Sequence, residues 1–226
     1  MNNIKLLING SEYVGAFGCA NDKYAFTGFL PEKTKKAIEE ILDVNVIEFS
    51  VNSSNLTGLF CTVNSNGLGI SNLISKNELK SLNKKIEEEK IDINVGILDT
   101  DLNSIGNNIL LNDKFALVHT EYNNAVIKQI QDLFNVEVIK ISIGNFKTVG
   151  ATNILTNKGF VINNRALDRE KEHIDKILNF NSIPTTANNG SLFIGLSTIA
   201  NSNNLIIGDK TTGFELTRII DALNLD

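Results

Sequence analysis

One glycine recurs along this chain at a nearly constant interval. Gly15, Gly58, Gly106, Gly150 and Gly195 stand 43, 48, 44 and 45 residues apart. Each opens the same pattern: about six mostly small or apolar residues, an Asn-led turn, then a second apolar run. The turns are Asn21-Asp22-Lys23, Asn64-Ser65-Asn66-Gly67, Asn112-Asp113-Lys114, Asn157-Lys158-Gly159 and Asn201-Ser202-Asn203-Asn204. A period of this size marks one supersecondary unit that cannot bury its apolar face alone, so neighbouring copies must cover it. Five copies consume residues 1–226, which predicts a single domain and leaves nothing for a second one.

Within each copy, two short apolar segments flank the turn, the signature of a β-hairpin. In the third copy these are residues 108–111 and 115–118. An amphipathic helix follows, with apolar residues at helical spacing. The first helix carries Ala37, Ile38, Ile41 and Leu42 after Pro31, and the second Leu79, Leu82 and Ile86 after a Ser75-x-x-Glu78 capping box. The third has Val126, Ile127, Ile130, Leu133 and Phe134, and the fourth Leu167, Ile174, Ile177 and Leu178. The fifth, with Leu216, Ile219, Ile220 and Leu223, follows a Thr212-x-x-Glu215 box. Extended segments come next at residues 44–51, 91–98 and 136–143, and a weaker one, with Pro184, at 182–187.

The fifth copy lacks this last strand, whereas residues 4–8 form a strand with no unit of its own. Placing the first strand in the last unit completes five ββαβ modules and leaves no sheet edge open at either end. The predicted fold is therefore α/β: a closed ring of five repeats with pseudo-fivefold symmetry. A linear solenoid would need polar caps at both ends, and none is evident.

Composition narrows the function. Apolar residues make up 42 % of the chain and charged residues 21 %, enough for a real core and too few charges for a disordered chain. No run of about 18 apolar residues could span a bilayer, and the first ten residues lack the apolar stretch of a secretory leader. A cytoplasmic protein with no membrane partner is expected. The net charge is −5 and only three arginines occur, which disfavours free DNA or RNA as a ligand on electrostatic grounds, while a basic protein surface would suit the charge. Cys19 and Cys61 are too few for a disulfide framework and read as small packing residues.

Several stretches carry a family likeness: Ser104-Ile-Gly-Asn-Asn-Ile-Leu-Leu-Asn-Asp-Lys-Phe-Ala-Leu-Val-His119, Thr148-Val-Gly150 with Thr156-Asn-Lys-Gly159, Thr186-Ala-Asn-Asn-Gly-Ser191, and Thr211-Thr-Gly-Phe-Glu-Leu216 followed by Asp221-Ala-Leu223. With the five-unit ring, the chain resembles the pentein fold and, within it, archaeal members of the translation initiation factor 6 family of ribosome anti-association factors. The likeness runs end to end. It departs at Thr120, where the family has Pro after Leu-Val-His, at Asn163-Asn164, and at Phe214, where Pro is common.

The resemblance implies a monomeric, non-enzymatic protein that binds the large ribosomal subunit. The site would be a ribosomal protein near the sarcin–ricin loop, from which the factor blocks the small subunit sterically, with a link to large-subunit biogenesis. It also carries the family's interface Asn onto Asn107. By fivefold equivalence, the residues after each glycine, Ala16, Leu59, Asn107, Ala151 and Leu196, are expected to share one ring face and to form the partner contact. The five glycines themselves are expected to be architectural, allowing close backbone approach at the ring centre.

Penteins also include guanidino-modifying enzymes such as arginine deiminases and amidinotransferases. Those need a late Cys nucleophile, a His base and carboxylates, whereas this chain has no Cys after Cys61. His119 is expected to close a strand and His173 to lie on a solvated helix face. The Cys and His spacing suggests no metal site, and no phosphate-binding glycine motif occurs. No catalytic residue and no cofactor are therefore expected.

Overall fold

A computed structural model describes residues 4–225; Met1, Asn2, Asn3 and Asp226 lie outside it, including the first three residues of the leader reading and the ends of the 1–226 boundary. Among the described residues, fifteen strands form five three-stranded sheets. The first unit contains β2 (Gly18–Ala20), β3 (Tyr24–Thr27), α1 (Glu32–Leu42) and β4 (Asn45–Glu48), preceded by β1 (Lys5–Leu6). The second contains α2 (Thr57–Phe60), β5 (Cys61–Val63), β6 (Gly67–Ser71), α3 (Lys76–Glu88) and β7 (Asn94–Leu98). The third contains α4 (Ile105–Asn108), β8 (Ile109–Leu111), β9 (Phe115–Val118), α5 (Asn124–Phe134) and β10 (Glu137–Lys140). The fourth contains α6 (Val149–Thr152), β11 (Ile154–Leu155), β12 (Phe160–Asn163), α7 (Asp168–Leu178) and β13 (Ile183–Thr185). The fifth contains β14 (Thr198–Ala200), β15 (Leu205–Gly208) and α8 (Gly213–Leu223).

Every sheet has the same order. An antiparallel hairpin pairs its second strand in parallel with the strand that follows the helix, as in β2-β3-β4. In the fifth sheet β1 supplies that outer strand: Lys5 pairs with Ile207 and Leu6 with Gly208, in parallel. The N-terminal strand thus completes the last unit, as the missing strand in the sequence requires. Pro184 in β13 is tolerated because β13 is an edge strand, where one absent N–H breaks no ladder.

Local chemistry explains the elements. Ser75 and Thr212 close complete capping boxes with Glu78 and Glu215. Asp43, Asn135, Asn179 and Asn224 end four of the long helices in the left-handed conformation, which short polar side chains tolerate. α5 buries Val126, Ile130 and Phe134 at four-residue spacing against the sheets. Leu167 differs from expectation: it precedes α7 as its N-cap and is exposed, because the helix starts one residue later.

The ring closes at its centre. A β-carbon on each repeat glycine would collide with the carbonyl oxygen of the preceding one, and Gly15 meets Gly195 in the same way, so the chain of contacts has no end. The Gly15 N–H donates to the Leu196 carbonyl at 2.8 Å. Glycine is required because these backbones touch where any side chain would stand.

Candidate partner-binding face

The inner strands β2, β5, β8, β11 and β14 surround a central channel of about 110 Å³. Each first strand runs away from its repeat glycine toward the hairpin turn, so the ring has a glycine end and a turn end. The five long helices, α1, α3, α5, α7 and α8, start at the glycine end and stop at the turn end.

The turn end is polar and knitted together. Asn21, Asn64, Asn112 and Asn201 each accept two backbone N–H bonds within their own turn through Oδ1. Their amide groups also reach the neighbouring unit: Asn21 to the Asn64 carbonyl at 2.9 Å, Asn64 to Asn112 at 3.2 Å, Asn112 to Thr156 at 3.1 Å and Asn201 to Leu42 at 3.0 Å. In the fourth unit Thr156, not Asn157, holds this place; its hydroxyl accepts from Lys158 and Gly159. Asn157 instead reaches back to Asp113. Asn was legible as a turn former, but its second bond depends on a residue more than 40 positions away.

The five post-glycine residues sit in equivalent tight turns around the channel at the glycine end. Ala16 lies in a 3₁₀ turn (Val14–Phe17), Leu59 in α2, Asn107 in α4 and Ala151 in α6, while Leu196 lies in the turn before β14. The five positions are not equally exposed. Ala151 is only 3 % exposed, because the fifth unit leans on it and the Leu196 N–H donates to its carbonyl at 3.2 Å. The other four are half-buried. Asn107 makes no side-chain bond to its own turn, and its Oδ1 is shielded from solvent without a hydrogen-bond partner.

Another set of residues dominates this end. Leu7, Phe29, Leu56, Leu73, Leu167, Phe193 and Phe214 are all large, apolar and exposed, Phe214 by 73 %. All seven fall in loops or first helical turns at the glycine end; among the exposed large apolar residues described, only Ile97, in edge strand β7, does not. Phe193 packs edge-on against Phe146, with ring centres 6.3 Å apart, and Arg165 lies 5.9 Å over Phe146. Arg218 lies 5.5 Å over Phe214 and Lys85 lies 5.3 Å over Phe29. Aromatic and Arg side chains in this arrangement are the usual anchors of protein interfaces. Sequence reasoning did not join them into a face: Leu167 read as part of a helix's apolar side, Phe214 as a departure from the family pattern, and others as ordinary loop residues.

Carboxylates order the loops of this face. Glu78 accepts from the Ser50 hydroxyl and from the N–H groups of Asn52, Ser53 and Ser75. Asn52 and Ser53 both have positive φ, which aims successive N–H groups at one anion. Partial burial opposes ionisation of Glu78, but these donors prevail and hold its pKa at about 2. Glu215 does the same for the N–H groups of Asn189, Gly190 and Thr212 and the hydroxyls of Thr186 and Thr212.

The departures from the family pattern also lie here. His119 is buried and accepts the Glu121 N–H through Nδ1, which shapes the turn containing Thr120. Burial holds its imidazole below the ordinary value, only partly offset by the Glu121 carboxylate. Asn163 is buried, donates to Asn153 and accepts from Arg165, while Asn164 is exposed. His173 is exposed on α7.

Residues lining the channel include Cys19, Cys61, Thr62, Asn153 and Thr198, with no carboxylate or imidazole among those described. Among the described residues no three His, Cys, Asp or Glu side chains gather as metal ligands, and no helix is long and apolar enough to cross a membrane.

The eIF-6 family profile matches residues 3–222. Similar curated proteins include translation initiation factor 6 from Thermococcus onnurineus, 33 % identical over 220 residues that cover 97 % of this chain and 96 % of that protein. The factor from Thermoplasma acidophilum is 36 % identical over 218 residues, covering 95 % and 96 %, and that from Pyrococcus abyssi 33 % over 222 residues, covering 98 % of each. Among solved structures, a dimethylarginine dimethylaminohydrolase variant in adduct with S-methyl-L-thiocitrulline aligns with a TM-score of 0.49 at 13 % identity, covering 76 % of this chain and 68 % of that one.

Proposed function

The chain belongs to the eIF-6 family of translation initiation factors, and from that premise we propose that it binds the large ribosomal subunit and keeps the small subunit from joining. The glycine-end face makes the contact, on a basic ribosomal-protein surface near the sarcin–ricin loop. The observation that carries this reading is the segregation of seven exposed apolar side chains to one end of the ring. Soluble monomers rarely gather such residues on one face unless it meets another surface.

The mechanism is steric and assigns no catalytic step. A ring of this length is a body of about 20 Å radius by size scaling, large enough to hold two subunit faces apart. Asn107 belongs to this contact face; Phe193, packed on Phe146 with Arg165, and Phe214, beneath Arg218, are its anchors. Leu59, Ala16 and Leu196 contribute packing area, and Ala151 supports the turn beneath them. The net charge of −5 disfavours indiscriminate RNA binding while suiting a basic protein patch. The protein acts as a cytoplasmic monomer, folded as one domain, with the same docking event serving large-subunit maturation.

Sedimentation of purified archaeal subunits with and without the protein tests this. Co-migration with the large subunit alone, with fewer joined particles, supports the reading. Protein that stays at the top of the gradient while joining proceeds would refute it.

A further inference from the structure

The two cysteines lie 42 residues apart in sequence and on different sheets, yet their sulfurs face each other at 3.3 Å. Cys19 is on β2 and Cys61 on β5, the inner strands of the first two units. The repeat glycines bring these strands together: a β-carbon on Gly58 would lie 2.8 Å from both the nitrogen and the oxygen of Gly18, the residue before Cys19. Both residues border the central channel, and their side chains pack in the apolar cluster between the first two units, with Phe26, Val63 and Ile70. Cys61 is fully buried and Cys19 is partly accessible.

We propose that Cys19 and Cys61 are a two-electron oxidation site, in which a small hydroperoxide entering the channel converts the thiol pair into a disulfide joining the first two units. A channel of about 110 Å³ has room for a molecule the size of hydrogen peroxide beside Cys19. In the first step the accessible Cys19, as thiolate, attacks a peroxide oxygen; the O–O bond breaks, hydroxide leaves and Cys19 becomes a sulfenic acid. In the second, Cys61 loses its proton to hydroxide and attacks the Cys19 sulfur, expelling the sulfenic oxygen as a second hydroxide that takes up the proton released from Cys19. Two thiols and one peroxide thus give one disulfide and two waters. Burial pushes the Cys61 thiol well up, which makes it the resolving partner and leaves first attack to Cys19. Closing the bond requires the sulfurs to approach by about 1.3 Å from their present separation, given an S–S bond of about 2.05 Å. Side-chain rotation on strands already in contact can supply this.

The test is intact-mass analysis and non-reducing peptide mapping of the fully reduced protein after treatment with hydrogen peroxide under native conditions. The expected product is a monomer lighter by about 2 Da, with one peptide pair linking Cys19 to Cys61 and its mass restored by dithiothreitol. A Cys61→Ser variant should stop at a Cys19 sulfenic acid that dimedone traps. Unmodified thiols, a disulfide between two molecules, or wild-type Cys19 carried on to sulfinic acid without a bridge would each overturn the proposal. If Cys61→Ser fails to fold, the wild-type map decides by itself.

Discussion

A β-carbon on Gly106 would occupy the space held by the carbonyl oxygen of Gly58. The obstruction is backbone, so no side-chain rotation relieves it, and the same contact recurs around the closed ring. Gly106→Ala is therefore expected to cost about 3 kcal/mol or more, the upper range for overpacking. Gly213→Ala is the matched control. That position starts α8 with nothing within 4 Å of a new β-carbon, so the change should be neutral or stabilising by up to about 1 kcal/mol. Urea unfolding of both variants measures the contrast.

Asn64 serves its own turn and the next unit at once. Asn64→Ala removes two acceptor bonds within the hairpin and leaves the buried Asn112 carbonyl without its amide partner. A loss of about 2–4 kcal/mol is expected. Asn64→Thr should cost about 1 kcal/mol less, because a hydroxyl can hold the turn as Thr156 does in the fourth unit while still forfeiting the inter-unit bonds to the Asn112 and Phe134 carbonyls. Equal losses for the two variants would show that the turn bonds contribute little.

Glu78 makes the protein sensitive to acid in a defined window. Its folded pKa, about 2, lies below that of an unfolded carboxylate. The stabilisation is therefore complete above about pH 5 and is lost as the pH falls toward about 2. The site is largely open to solvent, which screens the effect, so Glu78→Gln should cost about 1 kcal/mol at neutral pH. Stability curves of wild type and variant should converge as the carboxylate protonates; a gap independent of pH would locate the effect in packing instead.

The glycine-end face should be separable from the turn end by binding. Phe193→Ser and Phe214→Ser are each expected to weaken association with the large subunit by about tenfold, equivalent to about 1.4 kcal/mol. Asn107→Ala should weaken it as well. Glu87→Ala, exposed near the end of α3 on the opposite side, should leave binding unchanged. Quantitative pelleting of labelled protein with large subunits reads all four, and equal affinities throughout would remove this face from the interface.

The repeat period, the hairpins, the capped helices and the need for the first strand to complete the last unit were all legible in the sequence. Each depends on residues close together along the chain, or on one pattern written five times. What needed the folded ring was exposure and cross-unit contact. Ala151 and Ala16 occupy equivalent positions, yet only Ala151 is buried, because Leu196 of the next unit bonds to it. The meeting of Cys19 with Cys61 and the second bond of each turn Asn are likewise set by neighbouring units. The apolar face follows the same rule: Phe29, Phe193 and Phe214 lie more than 180 residues apart at the extremes, and only ring closure puts them at one end. Periodicity determines which elements form, because local hydrogen bonding and apolar spacing decide that; tertiary packing decides which side chains remain for a partner, because solvent exposure is a property of what the rest of the chain covers.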